Sequence, residues 1–320
     1  MNEIIAKIKA LKAQRNAVIL VHNYQLPEVQ DIADFTGDSL GLSIEAAKTT
    51  ADVVVFCGVF FMAETAKILS PQKTVLIPDP SAGCPMADMI TAAQLRDLKT
   101  KHPRAKVVCY VNTSAEVKAE SDYCCTSANA VEMLQNAFDE HDEIIFVPDK
   151  HLGSYAAFKA HRHVIIWEGY CPSHARILPE HILSLKKEHP RALVMAHPEC
   201  SAAVLKIADA VLSTSGMLRY AKESSMQEFI VATEVGMEYP LKIENPGKLF
   251  FPATAMALCP NMKKITLDKV LHSLEAMVHE VKLSDDLIAR AKKPIDKMIH
   301  FRRDAQDRKS TRLNSSHVSE

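Results

Sequence analysis

Short apolar runs alternate along this chain with segments whose apolar residues recur at helical intervals. The runs at residues 17–24, 105–112 and 192–199 are aliphatic at their start and polar at their end. Short apolar runs are typical of strands buried on both faces, and helical segments between them are typical of βαβ units. The pattern therefore predicts an α/β protein with parallel sheets and right-handed crossovers.

The same order of elements occurs three times, with a period of about 87 residues. Each repeat, called a unit here, has a first strand, a helical stretch, a hydroxyl residue that opens a second helix, two further strands and a Cys-Pro pair. The cysteine follows the hydroxyl by 45, 44 and 45 residues. The hydroxyls are Ser39, Ser127 and Thr214, and the cysteines are Cys84, Cys171 and Cys259.

These repeats predict three pseudo-symmetric, Rossmann-like αβα domains with parallel sheets around a central active site. We expect the domains at residues 1–83, 84–170 and 171–264. Residues 265–301 have apolar positions at helical spacing and no strand pattern, so we expect helices that pack back onto the first domain. Residues 302–320 are almost entirely polar, which predicts a disordered or foreign tail.

The composition excludes several classes of protein. The 320 residues are 48% hydrophobic, and a formal charge of −1 without a basic, aromatic-interleaved run argues against a nucleic-acid partner. The longest apolar run, residues 53–63, is about half of what a membrane-spanning helix needs. The first 14 residues lack the features of a secretory signal, so the eight cysteines are interpreted as thiols, metal ligands or redox groups. We expect a cytoplasmic protein that has no contact with a membrane.

Polar residues at the ends of the first strands fall at matching positions in the three units. Ligand sites of open parallel sheets form beyond the carboxyl ends of the strands, and residues two apart on a strand point to the same side. A pseudo-threefold relation between the units would turn these side chains toward one central cavity. Counting back 17 residues from each hydroxyl gives His22, Tyr110 and His197, and counting back 15 gives Tyr24, Asn112 and Glu199.

One cysteine from each unit would reach the same cavity. Three thiolates from distant loops suit a 4Fe-4S cluster, and three ligands for four irons leave one iron open to substrate. An open iron acts as a Lewis acid, which favours dehydration chemistry over simple electron transfer. The cysteines outside the repeat are interpreted as packing residues: Cys57, Cys109, Cys124, Cys125 and Cys200.

The hydroxyl residues at the predicted helix N-termini indicate an anionic substrate, because unpaired N–H groups and the helix dipole favour negative charge there. The same hydroxyls could serve only as helix caps. Glu199 and the histidines are candidates for proton transfer, since imidazole titrates near neutrality and a carboxyl group in a closed cavity can have a raised pKa.

The segment GDSLG at residues 37–41 matches the pattern of a serine-hydrolase nucleophile, with Ser39 at its centre. That pattern needs a strand directly before the serine. The preceding residues, 27–35, have a helical pattern, and the matching segments of the other units lack the paired glycines. We therefore reject the hydrolase interpretation.

Several motifs give the chain a strong resemblance to the quinolinate synthase family over residues 1–300. They include VHNYQ, GDSLGLS, SAGCPMADM, WEGYCPSHARI, AHPEC, STSGM, TEVGM and FFPATAMALCPNMKKIT. Longer members of the family place their last ligand within C-x-x-C-x-x-C. Ala253 and Met256 occupy the two earlier positions here, which matches the short form of the family and leaves Cys259 as the third ligand.

The resemblance implies an enzyme of NAD biosynthesis that condenses iminoaspartate (iminosuccinate) with dihydroxyacetone phosphate. Phosphate loss, dehydration and ring closure then give quinolinate, and an enzyme that produces iminoaspartate is an expected partner. It implies that Cys84, Cys171 and Cys259 hold the cluster and that Tyr24, Glu199 and His22 transfer protons. The implied substrate-binding residues are His22, Ser39, Tyr110, Val111, Asn112, Ser127, His197, Pro198, Glu199 and Thr214. The alternative is an iron-sulfur redox sensor or binding protein without turnover.

Overall fold

A computed structural model describes residues 2–139 and 141–299 of the chain. Within these residues lie three sheets of four parallel strands, each flanked by helices. The strand orders are β2-β1-β3-β4, β6-β5-β7-β8 and β10-β9-β11-β12, so the three units share one topology. The prediction of three Rossmann-like αβα units is confirmed. The predicted tail at residues 302–320 lies outside the described residues.

The three units have the following elements. The first contains α1 (Asn2–Gln14), β1 (Ala17–His22), α2 (Pro27–Gln30), β2 (Phe35–Gly37), α3 (Ser39–Lys48), β3 (Val53–Cys57), α4 (Phe60–Leu69) and β4 (Thr74–Leu76). The second contains α5 (Ala92–Lys101), β5 (Lys106–Tyr110), α6 (Ala115–Ala119), β6 (Tyr123–Cys125), α7 (Ala130–Asn136), β7 (Ile144–Val147), α8 (Lys150–Ala160) and β8 (Val164–Ile166). The third contains α9 (Pro179–Glu188), β9 (Leu193–Ala196), α10 (Ala202–Lys206), β10 (Ala210–Val211), α11 (Thr214–Glu223), β11 (Glu228–Ala232), α12 (Glu238–Glu244) and β12 (Leu249–Pro252).

Each sheet has one strand more than the sequence pattern predicts. The additional strands, β2, β6 and β10, have only two or three residues and lead directly into the hydroxyl segments. Because β2 ends at Gly37, a strand does precede Ser39, and the reason given above against a serine hydrolase is wrong. Among the described residues, however, no histidine forms a hydrogen bond with Ser39, so the pairing that activates a serine nucleophile is missing.

The repeat extends to individual hydrogen bonds. In each unit an aspartate just before the short strand accepts a hydrogen bond from the backbone N–H of the residue 15 positions earlier, in the first strand. Its own N–H donates to the carbonyl of that same residue. This double link fixes the turn that delivers the hydroxyl segment to the carboxyl edge of the sheet. The three pairs are Asp34 with Ile19, Asp122 with Val107, and Asp209 with Val194, at 2.8–2.9 Å.

The segment after the third unit contains α13 (Leu267–Ala276) and a final helix over 285–299. Helix α13 packs on α1 and β3, as expected for the first unit. The final helix contacts the second unit, which the sequence analysis did not anticipate. There Lys297 Nζ donates to the carbonyl of Asp122 at 2.9 Å, and Arg290 lies 3.6 Å from Glu120.

One large hydrophobic core contains residues of all three units, and a smaller core lies within the third. Helices and strands both contribute to these cores, and every residue of β3 and β7 is buried, as parallel strands covered on both faces require. Because the units share this core, the domain boundaries at residues 83/84 and 170/171 stay predictions. No helix within the described part of the chain has the length and apolar character needed to cross a bilayer.

Candidate active site

A cavity lies where residues following the strands of the three sheets come together. It is lined by every site residue predicted from the sequence except Val111 and Pro198, which are buried and absent from its lining. The predicted residues that line it are His22, Tyr24, Ser39, Cys84, Tyr110, Asn112, Ser127, Cys171, His197, Glu199, Thr214 and Cys259. Residues from all three units therefore share one cavity.

Each Cys-Pro pair opens a tight turn that continues as a 3-10 helix three residues later. These helices are Ala87–Met89, His174–Arg176 and Met262–Lys264. In every turn the backbone N–H groups of the residues two and three positions after the cysteine are near enough to the sulfur to lower the pKa of its thiol. Proline suits the position after the cysteine because it fixes φ and has no N–H that would need a partner. Hydrogen bonds of this kind stabilise thiolates and tune metal centres that are held by sulfur.

Glu199, which lines the cavity, accepts two short hydrogen bonds. The Tyr110 hydroxyl donates to Oε1 at 2.6 Å, and His174 Nδ1 lies 2.9 Å from Oε2. Burial raises the pKa of Glu199, but the positive charges that His174 and His197 carry when protonated, together with these hydrogen bonds, outweigh it, so the pKa falls well below its ordinary value. Glu199 is therefore an ionised acceptor, which overturns the expectation of a raised pKa.

His174 connects Glu199 to Tyr24 through Thr233. His174 Nε2 lies 2.9 Å from Thr233 Oγ1, and the Tyr24 hydroxyl lies 2.6 Å from the same oxygen. Because ionised Glu199 can only accept, His174 Nδ1 donates to it. With a single proton on the ring, Thr233 donates to His174 Nε2 and Tyr24 donates to Thr233. Burial, with a smaller contribution from Glu199, raises the pKa of Tyr24 well above its ordinary value, so the phenol keeps its proton. The result is a directed chain of four hydrogen-bonded groups.

His22 and His197 occupy equivalent positions and have the same tautomer. Nδ1 of His22 accepts the N–H of Tyr24 at 3.2 Å, and Nδ1 of His197 accepts the N–H of Glu199 at 3.4 Å. Each ring therefore presents Nε2–H, and that of His197 reaches Ser127 Oγ at 3.2 Å. Burial is the main reason that the pKa of each ring falls to about 3. Both rings are neutral donors near pH 7 and do not titrate there, contrary to the expectation for His22.

The three hydroxyl residues differ in their local structure. Ser39 and Thr214 are the first residues of α3 and α11, whereas the helix caps are the preceding residues, Asp38 and Ser213. Ser39 and Thr214 are thus not needed as caps. Helix α7 begins only at Ala130, so Ser127 lies three residues before its helix. Thr214 accepts a hydrogen bond from Asn23 Nδ2 at 2.9 Å, which links the first and third units.

Comparison with known proteins identifies the family. A sequence model described as Quinolinate synthetase A protein matches residues 6–300. The chain belongs to the quinolinate synthase family. Quinolinate synthase from Dehalococcoides mccartyi (strain CBDB1) is 54% identical over 293 residues, which cover 92% of this chain and 96% of that protein. Quinolinate synthase from Methanosarcina barkeri (strain Fusaro / DSM 804) is 53% identical, with coverage of 93% and 97%. These relatives are named as enzymes, and this member of the quinolinate synthase family is an enzyme.

The donor set of this quinolinate synthase family member fits the iron-sulfur cluster that the resemblance implies. Cys84, Cys171 and Cys259 all line the cavity, whereas the other five cysteines are fully buried elsewhere. Burial, followed by nearby negative groups, raises the pKa of each of the three thiols, to about 12 for Cys84. A metal centre would supply the positive charge that makes these sulfurs thiolates. Asn112 Oδ1 is buried with no donor among the described residues, as expected for a group that meets a ligand.

Sequence reasoning missed four residues around this site: His174, Thr233, Glu234 and Lys263. Each occurs in only one unit, so a search for residues repeated in all three cannot find it. His174 stands three residues after Cys171, where the other units have Ala87 and Met262. The only signal was local: a histidine that lies one helical turn after a predicted ligand. Its Nδ1 is 3.2 Å from Cys171 Sγ, and together with Glu199 the two residues form a group whose ligand atoms lie within 4.8 Å of one another.

Proposed function

We propose that this chain makes quinolinate for NAD biosynthesis by condensing iminoaspartate with dihydroxyacetone phosphate. The products are quinolinate, one phosphate and two waters, so the reaction needs no external oxidant. We assign Cys84, Cys171 and Cys259 as the three ligands of a 4Fe-4S cluster. The observation that carries the proposal is the convergence of three equivalent Cys-Pro turns on one cavity that also contains the buried groups around Glu199.

The cluster, when bound, supplies a Lewis-acidic iron that assists the loss of water. The protein's own residues then hold and orient the substrate. The Nε2–H groups of His22 and His197 donate toward a carboxylate or phosphate without adding charge, and Ser39 and Thr214 stand at helix N-termini that favour anions. The pKa values of His22 and His197, about 3 each, favour a binding role for both histidines over the proton-transfer role suggested for His22.

Proton transfer is assigned to the chain from Tyr24 through Thr233 and His174 to Glu199. Because its lowered pKa makes Glu199 a weak base, its assigned role is to hold and orient His174. A proton that condensation or dehydration removes from carbon or nitrogen passes through Tyr24 and Thr233 to His174 Nε2. The Tyr24 phenol can donate one to a leaving hydroxyl, and the hydrogen bonds between these residues allow its proton to be replaced. Tyr110 holds Glu199 in place through the 2.6 Å hydrogen bond.

Anaerobic reconstitution tests the proposal. The protein is loaded with iron and sulfide, both are quantified, and iminoaspartate and dihydroxyacetone phosphate are then added. We expect quinolinate from the wild type and neither cluster nor product from Cys171→Ser. Cys57→Ser is the control, because Cys57 is fully buried in β3, away from the cavity, and we expect it to keep both. A complete cluster without product in the wild type would favour the redox sensor. Loss of the cluster in Cys57→Ser but not in Cys171→Ser would refute the ligand assignment.

A further inference from the structure

A buried ion pair lies behind the third cysteine. Glu234 is 1% exposed, and its carboxylate lies 3.1 and 3.2 Å from Lys263 Nζ. The same carboxylate accepts the backbone N–H of Cys259 at 3.0 Å and that of Gly236 at 2.7 Å. Both oxygens of Glu234 are thus fully engaged, and one of them fixes the backbone of a proposed cluster ligand.

Lys263 extends this arrangement to the first unit. It stands one turn after Cys259, and its backbone N–H donates to the Cys259 carbonyl at 3.4 Å. Its ammonium group donates to the backbone carbonyl of Tyr24. The residue therefore joins the third cysteine turn to the segment that carries the Tyr24 phenol, across the boundary between two units.

Position 236 has no room for a side chain, because Lys263, Glu234 and the Tyr24 carbonyl surround it closely. A Cβ atom at that position would lie 2.7 Å from Lys263 Nζ, 2.7 Å from the Tyr24 carbonyl oxygen and 2.8 Å from Glu234 Oε2. The lysine could move aside, but the Tyr24 carbonyl belongs to the backbone. An alanine there would push the Tyr24 backbone of the first unit away from Lys263 and Glu234.

The equivalent positions show that this arrangement belongs to the third unit alone. Glu234 is the second residue after β11, directly before a 3-10 helix, and the matching residues after β3 and β7 are Val59 and Asp149. Valine offers no acceptor. Within residues 2–139 and 141–299, the Asp149 side chain accepts only the N–H groups of His151 and Leu152 in its own helix. A carboxylate therefore holds the cysteine N–H of the third turn, and no described residue does so in the other two turns.

We propose that Glu234 and Lys263 are positioning residues that hold the Cys259 sulfur and the Tyr24 phenol toward one centre. Removing Lys263 would leave the buried carboxylate of Glu234 without its counter-charge. The carboxylate would then move toward solvent or take up a proton, and its hydrogen bond with the N–H of Cys259 would weaken. The sulfur and the phenol would then lose their fixed relation. The inference rests on the proposed function for its catalytic part, whereas the ligand part can be tested without turnover.

The test compares Lys263→Met and Gly236→Ala with wild type after anaerobic reconstitution. The control is Lys248→Met, because Lys248 is a similarly half-buried lysine of the third unit that donates to two backbone carbonyls, those of Ala221 and Ser224. Iron loss to a chelator and the electron paramagnetic resonance spectrum of the reduced cluster are measured first. The kcat and KM values for quinolinate formation follow.

We expect Lys263→Met and Gly236→Ala to lose iron about tenfold faster than wild type, as is common for residues that orient metal ligands. We also expect altered spectra and a fall in kcat larger than any change in KM. Wild-type spectra and rates of iron loss in Gly236→Ala would overturn the inference, even if Lys263→Met failed to fold. Equally rapid iron loss in Lys248→Met would overturn it too. A wild type that binds the cluster but makes no quinolinate would refute the proposed function instead.

Discussion

Removing one hydroxyl tests the electrostatics of the cavity. Tyr110 donates to Glu199 at 2.6 Å, and both residues are only 4% exposed. A hydrogen bond to a charged group contributes about 1.5–3 kcal/mol to stability. Tyr110→Phe keeps the ring and removes only the donor, so we expect the free energy of unfolding of the cluster-free protein to fall by about 2 kcal/mol at pH 7.

The lowered pKa of Glu199 determines how this loss depends on pH. A carboxyl group whose pKa is lowered in the folded state adds stability that is complete above its unfolded pKa, here 4.5, and is lost as the pH falls through the folded value. Tyr110→Phe raises the folded pKa of Glu199 but leaves the group ionised above that range. The difference between wild type and variant should therefore stay constant from pH 5 to pH 8.

Urea unfolding under anaerobic conditions, followed by circular dichroism across that pH range, measures the difference. Tyr239→Phe is the matched control, because Tyr239 also donates to a carboxylate, that of Asp31, but at the surface. It should cost less than about 0.5 kcal/mol, as is usual for surface substitutions. Equal losses in the two variants would refute the assigned strength of the buried hydrogen bond. A loss that disappears toward pH 5 would show that Glu199 is already protonated there.

Two further predictions follow from the paired histidines and the repeated aspartates. His22→Phe and His197→Phe each remove one Nε2–H donor, so each should raise KM roughly tenfold or more, with a smaller effect on kcat in steady-state assays. A fall in kcat at unchanged KM would contradict the binding role. Asp34→Ala, Asp122→Ala and Asp209→Ala each lose the same backbone link, so each should lower the free energy of unfolding in urea by about 1 kcal/mol. A large loss in only one of the three would contradict their equivalence.

The features that repeat could be predicted from the sequence. The interval between hydroxyl and cysteine predicted which residues meet, because equal spacing in equivalent βαβ units leads to equivalent positions at the sheet edge. Cys84, Cys171 and Cys259 do line one cavity, as do Ser39, Ser127 and Thr214. The long apolar strands were also recognisable, since nearly all their residues are buried.

The features that occur only once, or that depend on tertiary contacts, could not be predicted. Strand β10 has two residues and no periodicity to detect. Thr233 contacts His174 and Tyr24 only because three units meet, and no feature of the segment TEVGM predicts those contacts. The pKa of Glu199 was predicted in the wrong direction, because burial was considered without the donors that oppose it.

The cysteine turns also suggest how one unit could acquire a chemical task of its own. Each sulfur is supported by backbone amides, and the residue three positions later contributes its N–H whatever its side chain is. Alanine, histidine and methionine fill that position in the three units. The turn can thus accept a new side chain without disturbing the metal ligand, so a symmetric scaffold could gain an asymmetric reaction centre through a single substitution.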